Sequence, residues 1–327
     1  MNKKILPMTI SLLIILFLIG FQLTLDNPLY APDGQNHLEF ISGDTCNIGY
    51  PNALCLATNW LNLTPIQLWI AMFGISLLIP ILFVIYTKNP WLFPAFFVFT
   101  GFYWQTMAMQ VFAQIIMTLF LVFFIFEEKR LHRLIVLNLL LILLFFGIEF
   151  HNTELFILIA FFVYEILSLN KLVLNKAKFL GCRIFPSSIV TKVSSSAASI
   201  RNPMSKNTGS LIQNTVYYLY VFLFENMFIG FVIPAIYQIF KQKDYKKIYY
   251  FLFIVIGAFW LWFSINFEIW WVTRVLLWLP IVLIVPFYKW LGQQEDFTKY
   301  LFWFAGIIYL TFNIYYFINR VQDMGCI

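Results

Sequence analysis

The stretch WLFPAFFVFTGFYWQTMAMQVFAQIIMTLFLVFFIF, residues 91–126, holds 36 residues and not one charge. A single membrane-crossing helix needs about 20 apolar residues. The stretch is therefore too long for one helix, and it predicts two short helices bent near residues 101–105. Its flanks fix a direction. Lys88 precedes it, and the charged run Glu127-Glu128-Lys129-Arg130-Leu131-His132-Arg133, with a basic excess, follows it. Basic flanks stay in the cytosol, so both ends of the stretch are expected on that side.

The rest of the chain has the same character. Of its 327 residues, 61% are hydrophobic and 11% charged, and mean hydropathy is +0.82. A soluble domain is typically about 45–50% apolar and about 25% charged. No water-soluble fold of this size hides so much apolar surface. Composition thus excludes a soluble enzyme, a nucleic-acid-binding domain and a disordered chain. The apolar runs are long and unbroken, unlike the alternating strands of a β-barrel. The net charge of +6 reflects Lys and Arg gathered in cytosolic loops rather than a nucleic-acid partner. The expected fold is all-α, a polytopic transmembrane bundle of about 9–11 hydrophobic segments, with residues 1–327 forming a single integral membrane domain without internal repeat.

Reading outward from residues 91–126 gives the spans. Residues 5–25 read as a retained first helix rather than a signal peptide. The run is long enough to span, and no small-x-small cleavage pattern stands near Leu29-Tyr30-Ala31. Lys3 and Lys4 place the N-terminus inside. Residues 26–64 carry Asp26, Asp33, Glu39 and Asp44 but no Lys or Arg, which makes them an outer loop. Cys46 and Cys55 lie there, where a disulfide and two free thiols are both open readings. Together with Cys182 and Cys326 they offer no C-x-x-C spacing for zinc. Further spans are expected at 65–86, 134–148, 155–169, 248–267, 270–287 and 301–318. Residues 211–240 read as a hairpin turning at Glu225-Asn226. Residues 170–210 contain seven basic side chains (Lys171, Lys176, Lys178, Arg183, Lys192, Arg201 and Lys206) and no acid. They form a basic cytosolic loop, suited to anionic lipid head groups or to a docking protein.

The informative pattern is where the acids fall. Eight of the fifteen Asp and Glu are assigned to the outer side by this topology: Asp26, Asp33, Glu39, Asp44, Glu149, Glu154, Glu225 and Glu268. His37 and His151 join them. The orientation rule removes Lys from outer loops, but it does not require carboxylates or imidazoles. If Asp33-Gly34-Gln35-Asn36-His37 begins a short helix in the outer loop, its two end residues share a face and offer oxygen and imidazole ligands to Mg²⁺ or Mn²⁺. Asp33 is equally an N-cap before an apolar run. Glu149-x-His151-x-x-Glu154 is either a solvated turn or a second wall of the same site. Arg274, in Ile269-Trp270-Trp271-Val272-Thr273-Arg274, lies against the orientation rule on the outer side. A phosphate partner explains it, since guanidinium matches phosphate in a bidentate way; Glu268 or Glu225 would serve as well. Glu165, near the cytosolic end of its span, reads as a snorkelling residue facing the basic loop.

These features resemble the GT-C superfamily, polytopic glycosyltransferases that use lipid-phosphate-linked sugars. Leu29-Tyr30-Ala31-Pro32-Asp33-Gly34-Gln35-Asn36-His37-Leu38 looks like the acidic first-loop motif of that group. Gly147-Ile148-Glu149-Phe150-His151-Asn152-Thr153-Glu154-Leu155-Phe156 looks like its outer His turn. Thr273-Arg274-Val275, followed by Pro280, is similar to its late Arg. The loop carries no D-x-D or E-x-D pair, and there is no soluble C-terminal domain. The resemblance implies a glycosyltransferase that moves a sugar from a polyprenyl- or dolichyl-phosphate donor to an acceptor at the outer face. Asp33 and His37 would be catalytic, with a tentative Mg²⁺ or Mn²⁺ between them. Arg274, His151, Glu149, Glu154 and Glu268 would bind substrate. The expected location is the plasma membrane of a prokaryote, multi-pass, N-terminus inside. A transporter or flippase and a non-catalytic subunit of a membrane complex are the competing classes.

Overall fold

A computed structural model of the chain describes residues 5–23, 56, 59–101, 112–146, 154–168, 228–264, 276 and 278–323. Among them the regular elements are all α-helices: α1 (Ile5–Leu23), α2 (Pro65–Thr87), α3 (Leu92–Phe99), α4 (Phe112–Phe126), α5 (Arg130–Phe145), α6 (Glu154–Leu167), α7 (Ile229–Gln242), α8 (Tyr245–Ser264), α9 (Leu279–Gly292) and α10 (Asp296–Asp323). The all-α expectation holds among the described residues, which within 91–126 form two short helices, α3 and α4; the expected bend near 101–105 falls, from residue 102 on, outside them. By length and composition, one stretch among the described residues can cross a membrane, Ile70–Thr87 of α2.

Local chemistry sets the helix ends. Thr64 caps α2: its Oγ1 accepts from Gln67 N at 3.3 Å, and Gln67 Oε1 accepts from Thr64 N at 2.8 Å. This reciprocal box satisfies two otherwise orphaned donors, and Pro65 at the first helical position has no N–H to lose. The helix stops at Lys88, whose φ of 56° is left-handed. Lys243 stops α7 in the same way, φ 52°, its N–H reaching back to Ile239 and Phe240 carbonyls. A left-handed backbone is uncommon for residues other than glycine; at both sites the positive side chain also suits the negative end of the helix. Helices α2, α7 and α9 each contain an internal proline (Pro80, Pro234 and Pro286). Each removes one backbone hydrogen bond.

Two short helices form the centre. Every residue of α3 is buried, and so are nine consecutive positions of α9, Leu279 through Phe287. α9 packs along α7 and against α3, α4 and α8, while α3 touches α1, α2 and α10. Gly306 on α10 permits the close approach of α3. A Cβ there would stand 2.6 Å from both Val98 Cγ1 and Phe99 Cε1. Phe99 also accepts Phe228 N at 3.0 Å, tying the end of α3 to the start of α7. Inside, Trp278 Nε1 donates to Thr118 Oγ1 at 3.2 Å.

The outward faces are apolar. On α10, Phe297, Tyr300, Leu301, Phe304, Ile307, Ile308, Phe312 and Tyr315 are exposed, at helical spacing. On α5, Leu131, Ile135, Leu139, Ile142 and Phe145 are exposed, while Arg133, Leu137 and Leu140 turn inward. Beyond its first turn the outer face of α5 is largely apolar, and the buried Arg133 reverses the arrangement of a water-soluble amphipathic helix, which points its charges out.

Candidate functional site

Of the predicted site residues, Asp33, His37, Glu149, His151, Glu268 and Arg274 lie outside the described residues. Glu154 is the first residue of α6. The four cysteines, the basic loop at 170–210 and the turn at Glu225-Asn226 also lie outside the described residues; of the 211–240 hairpin, the part from Phe228 onward is described, and its helix is α7. Among the described residues no three His, Cys, Asp or Glu side chains gather to hold a metal.

The structure does place the helix ends that flank the predicted site. At one end of the molecule Tyr86 of α2 stacks on Phe126 of α4. Lys246 Nζ, at the start of α8, donates to the Glu127 carbonyl at 2.8 Å. Arg133 near the start of α5 meets Glu165 near the end of α6. These contacts put the end of α2, the end of α4, the start of α5, the end of α6 and the start of α8 together. The helices run away from that end by about 1.5 Å per residue. The start of α2, the end of α5, the start of α6 and the end of α8 therefore lie at the other end. These are the anchor points of the segments bearing His37, His151 and Arg274.

The described charge constellation is at the first end. Arg133 is buried, 6% exposed, and Glu165 2%. Arg133 Nε donates to Glu165 Oε1 at 2.5 Å and Nη2 to Oε2 at 3.3 Å, a bidentate pair. The remaining nitrogen, Nη1, donates to the carbonyls of Glu127 and Glu128 at 2.8 and 2.9 Å. One guanidinium thus caps the exit of α4, begins α5 and grips α6. This is how a buried charge pair becomes tolerable: every polar group has a partner. Arg130 Nε stands 3.6 Å from Glu165 Oε2. Around them lie Tyr164, whose ring faces the Arg133 guanidinium at 5.9 Å, and Tyr249 and Tyr250.

Titrating groups in the links and first turns at this end carry shifts. Lys246, ahead of the apolar run that begins at Ile248, is pulled down to about 8 by burial first and then by the charges of Arg133 and Lys247, against the pull of Glu165 and Asp244. The Glu127 carboxyl is held below its ordinary value, first by the Lys129 N–H it accepts and then by His132. Burial would raise Asp244, but its bond to Lys247 prevails and lowers it.

Sequence reading located Glu165 at the cytosolic end of its span and expected it to face the basic loop. The structure turns it inward onto Arg133 instead. The residues 127–133, expected as a loop, are helical from Arg130 onward. A signal for the pairing was present. Residue 149 is equidistant in sequence from 133 and 165 and lies in the link between α5 and α6. In an antiparallel hairpin, positions equidistant from the turn face one another. A comparison of the chain with known protein families, with curated proteins and with solved structures finds no match.

Proposed function

We propose that the protein is a multi-pass integral membrane protein that transfers a sugar from a polyprenyl- or dolichyl-phosphate donor to an acceptor at the outer face, in a prokaryotic plasma membrane with the N-terminus inside. The membrane reading rests on one observation above others: α5 and α10 carry outward stripes of large apolar side chains, while the Arg133–Glu165 pair faces in. Exposed apolar surface on this scale marks contact with lipid or another protein. Charges within a bilayer face the bundle interior and pair with one another. The transfer reading is supported by the start of α2, the end of α5, the start of α6 and the end of α8, helix ends that border residues 26–64, 147–153 and 265–275 and lie opposite the ion pair. Helix ends far apart in sequence thereby meet at one side.

In this reading each residue has a task. Arg274 binds the donor phosphate and stabilises the charge that develops on it as the glycosidic bond breaks. Asp33 accepts the acceptor hydroxyl proton or orients that hydroxyl, and His37 positions one of the two. His151, Glu149, Glu154 and Glu268 line the sugar's side of the site. Asp33 and His37 offer donors suited to Mg²⁺ or Mn²⁺, which would supply positive charge beside the phosphate.

The test is transfer of radiolabelled sugar from a lipid-phosphate donor by membranes containing the protein. Asp33→Asn is expected to lower the rate by about 10²–10⁴-fold, the usual contribution of a general base. Unchanged transfer would remove Asp33 from this role. Transmembrane flux of a lipid-linked sugar without transfer would instead establish the transporter reading.

A further inference from the structure

We propose that the ion-pair end of the molecule holds an anion site built from Arg130, Arg133 and Lys246, and that its ligand is a phosphate group, carried by an anionic phospholipid or free in solution. This goes beyond the sugar-transfer reading and does not depend on it, because the site lies at the other end of the helices.

The first observation is an imbalance of charge. Among the described residues Glu165 is the one carboxylate that meets Arg130 and Arg133, at 3.6 and 2.5 Å. Lys246 Nζ and Arg133 Nη1 donate to the same oxygen, the Glu127 carbonyl, each at 2.8 Å. Three cations thus converge near one carboxylate. The neighbouring acid, Asp244, is already bonded to Lys247, and the Glu127 carboxylate is 3.3 Å from His132 and accepts from the Lys129 N–H. A half-buried excess of positive charge is unfavourable unless a counter-charge joins it.

The second observation is independent and concerns donors. Arg130 Nε is shielded from solvent and, among the described residues, hydrogen-bonds to nothing. A separation of 3.6 Å from Glu165 is too long for a hydrogen bond. The Tyr250 hydroxyl is likewise buried without a partner, and its ring lies 5.4 Å from that of Tyr164 beside the Arg133 guanidinium. Arg130 remains partly open, with 40% of its side chain exposed, so a ligand has a path to it. Guanidinium and ammonium donors around a partly dehydrated position suit the tetrahedral oxygens of phosphate. Charge also sets the partner. Seven basic residues and no acid occupy 170–210, the segment that follows α6 and thus leaves from the same end. Such an end favours anionic head groups.

The experiment uses the full chain in a neutral detergent. Short-chain phosphatidylglycerol, short-chain phosphatidylcholine and inorganic phosphate are titrated separately, and binding is read by the shift in thermal unfolding. Phosphatidylglycerol alone shifting the transition assigns the lipid source. Inorganic phosphate shifting it equally assigns the free anion. Arg130→Gln and Lys246→Gln are each expected to weaken the effective ligand by about tenfold or more, as loss of a charged hydrogen bond does. Lys299→Gln, on a half-buried lysine that pairs with Asp296, is expected to leave it unchanged. A second measurement needs no variant. Binding to the unaltered protein is expected to weaken as pH rises through about 8, where Lys246, facing Arg133, Lys247, Glu165 and Asp244, loses its proton. No shift with either anion, a pH-independent affinity, or equal losses in Lys299→Gln and Arg130→Gln would overturn the site.

Discussion

Arg133 shows how much one side chain can organise. Its guanidinium makes four hydrogen bonds, two to a carboxylate on α6 and two to carbonyls at the exit of α4. Removing the carboxylate leaves a buried guanidinium without its counter-charge. Glu165→Ala is therefore expected to lower stability by about 3–5 kcal/mol, read from chemical unfolding in detergent by tryptophan fluorescence. The double change Arg133→Met with Glu165→Leu is expected to restore part of that loss, since neither charge is then stranded. Lys246 gives a second prediction, with its sign fixed by linkage. Its folded value, about 8, lies below the ordinary 10.5. Between those values the unfolded chain binds more protons than the folded one, so stability rises with pH across that window. In phosphate-free buffer the unfolding transition should climb from pH 8 to pH 10, and Lys246→Gln should flatten that slope. The sequence displayed both charges of the ion pair, but reading each on its own helix assigned Glu165 to the surface. Its partner is 32 residues away, and only the hairpin brings them together.

At the scale of elements, apolar runs proved legible and their ends less so. The charge-free length of residues 91–126 was enough to divide it, because a span has a fixed length and a surplus must bend. The turn between α4 and α5 was harder. The charges of residues 127–133 resemble a solvated loop, yet the helix begins at Arg130 because Arg133 turns its guanidinium back onto the preceding carbonyls. The last helix likewise begins at Asp296, ahead of the apolar run expected from 301. Helix packing sets another requirement that no run of hydropathy displays. Gly306 lets α10 rest against Val98 and Phe99, two residues with no freedom to retreat inside the core. Gly306→Leu is expected to cost about 1–3 kcal/mol through overpacking, measured as a lower unfolding temperature in detergent. Leu301→Ala, on the exposed face of the same helix, should change it far less.

The molecule as a whole has two distinct ends. One gathers the guanidinium, the lysines and the short links. The other receives the ends of the helices that carry the acidic segments. The proposed sidedness has a direct test in the native cysteines. In single-cysteine variants of intact cells, a membrane-impermeant maleimide is expected to label Cys46 and Cys55. Cys182 should react only once the cells are permeabilised. Labelling of Cys182 in intact cells would reverse the orientation and place the Asp33 segment inside. The candidate transfer site was legible as a pattern of carboxylates and imidazoles in three segments, and of these the structure describes Glu154 and the flanking helix ends.

The inward ion pair also bears on how such a chain is made. A ribosome releases α5 first, and Arg133 then waits for a partner that is still unsynthesised. Admitted to lipid alone, that helix would carry an unmatched cation, whereas α5 and α6 admitted together carry a neutral pair. The two are thus expected to leave the translocation channel as one unit. A chain truncated between residues 146 and 154 should be retained at the channel or handed to quality-control proteolysis.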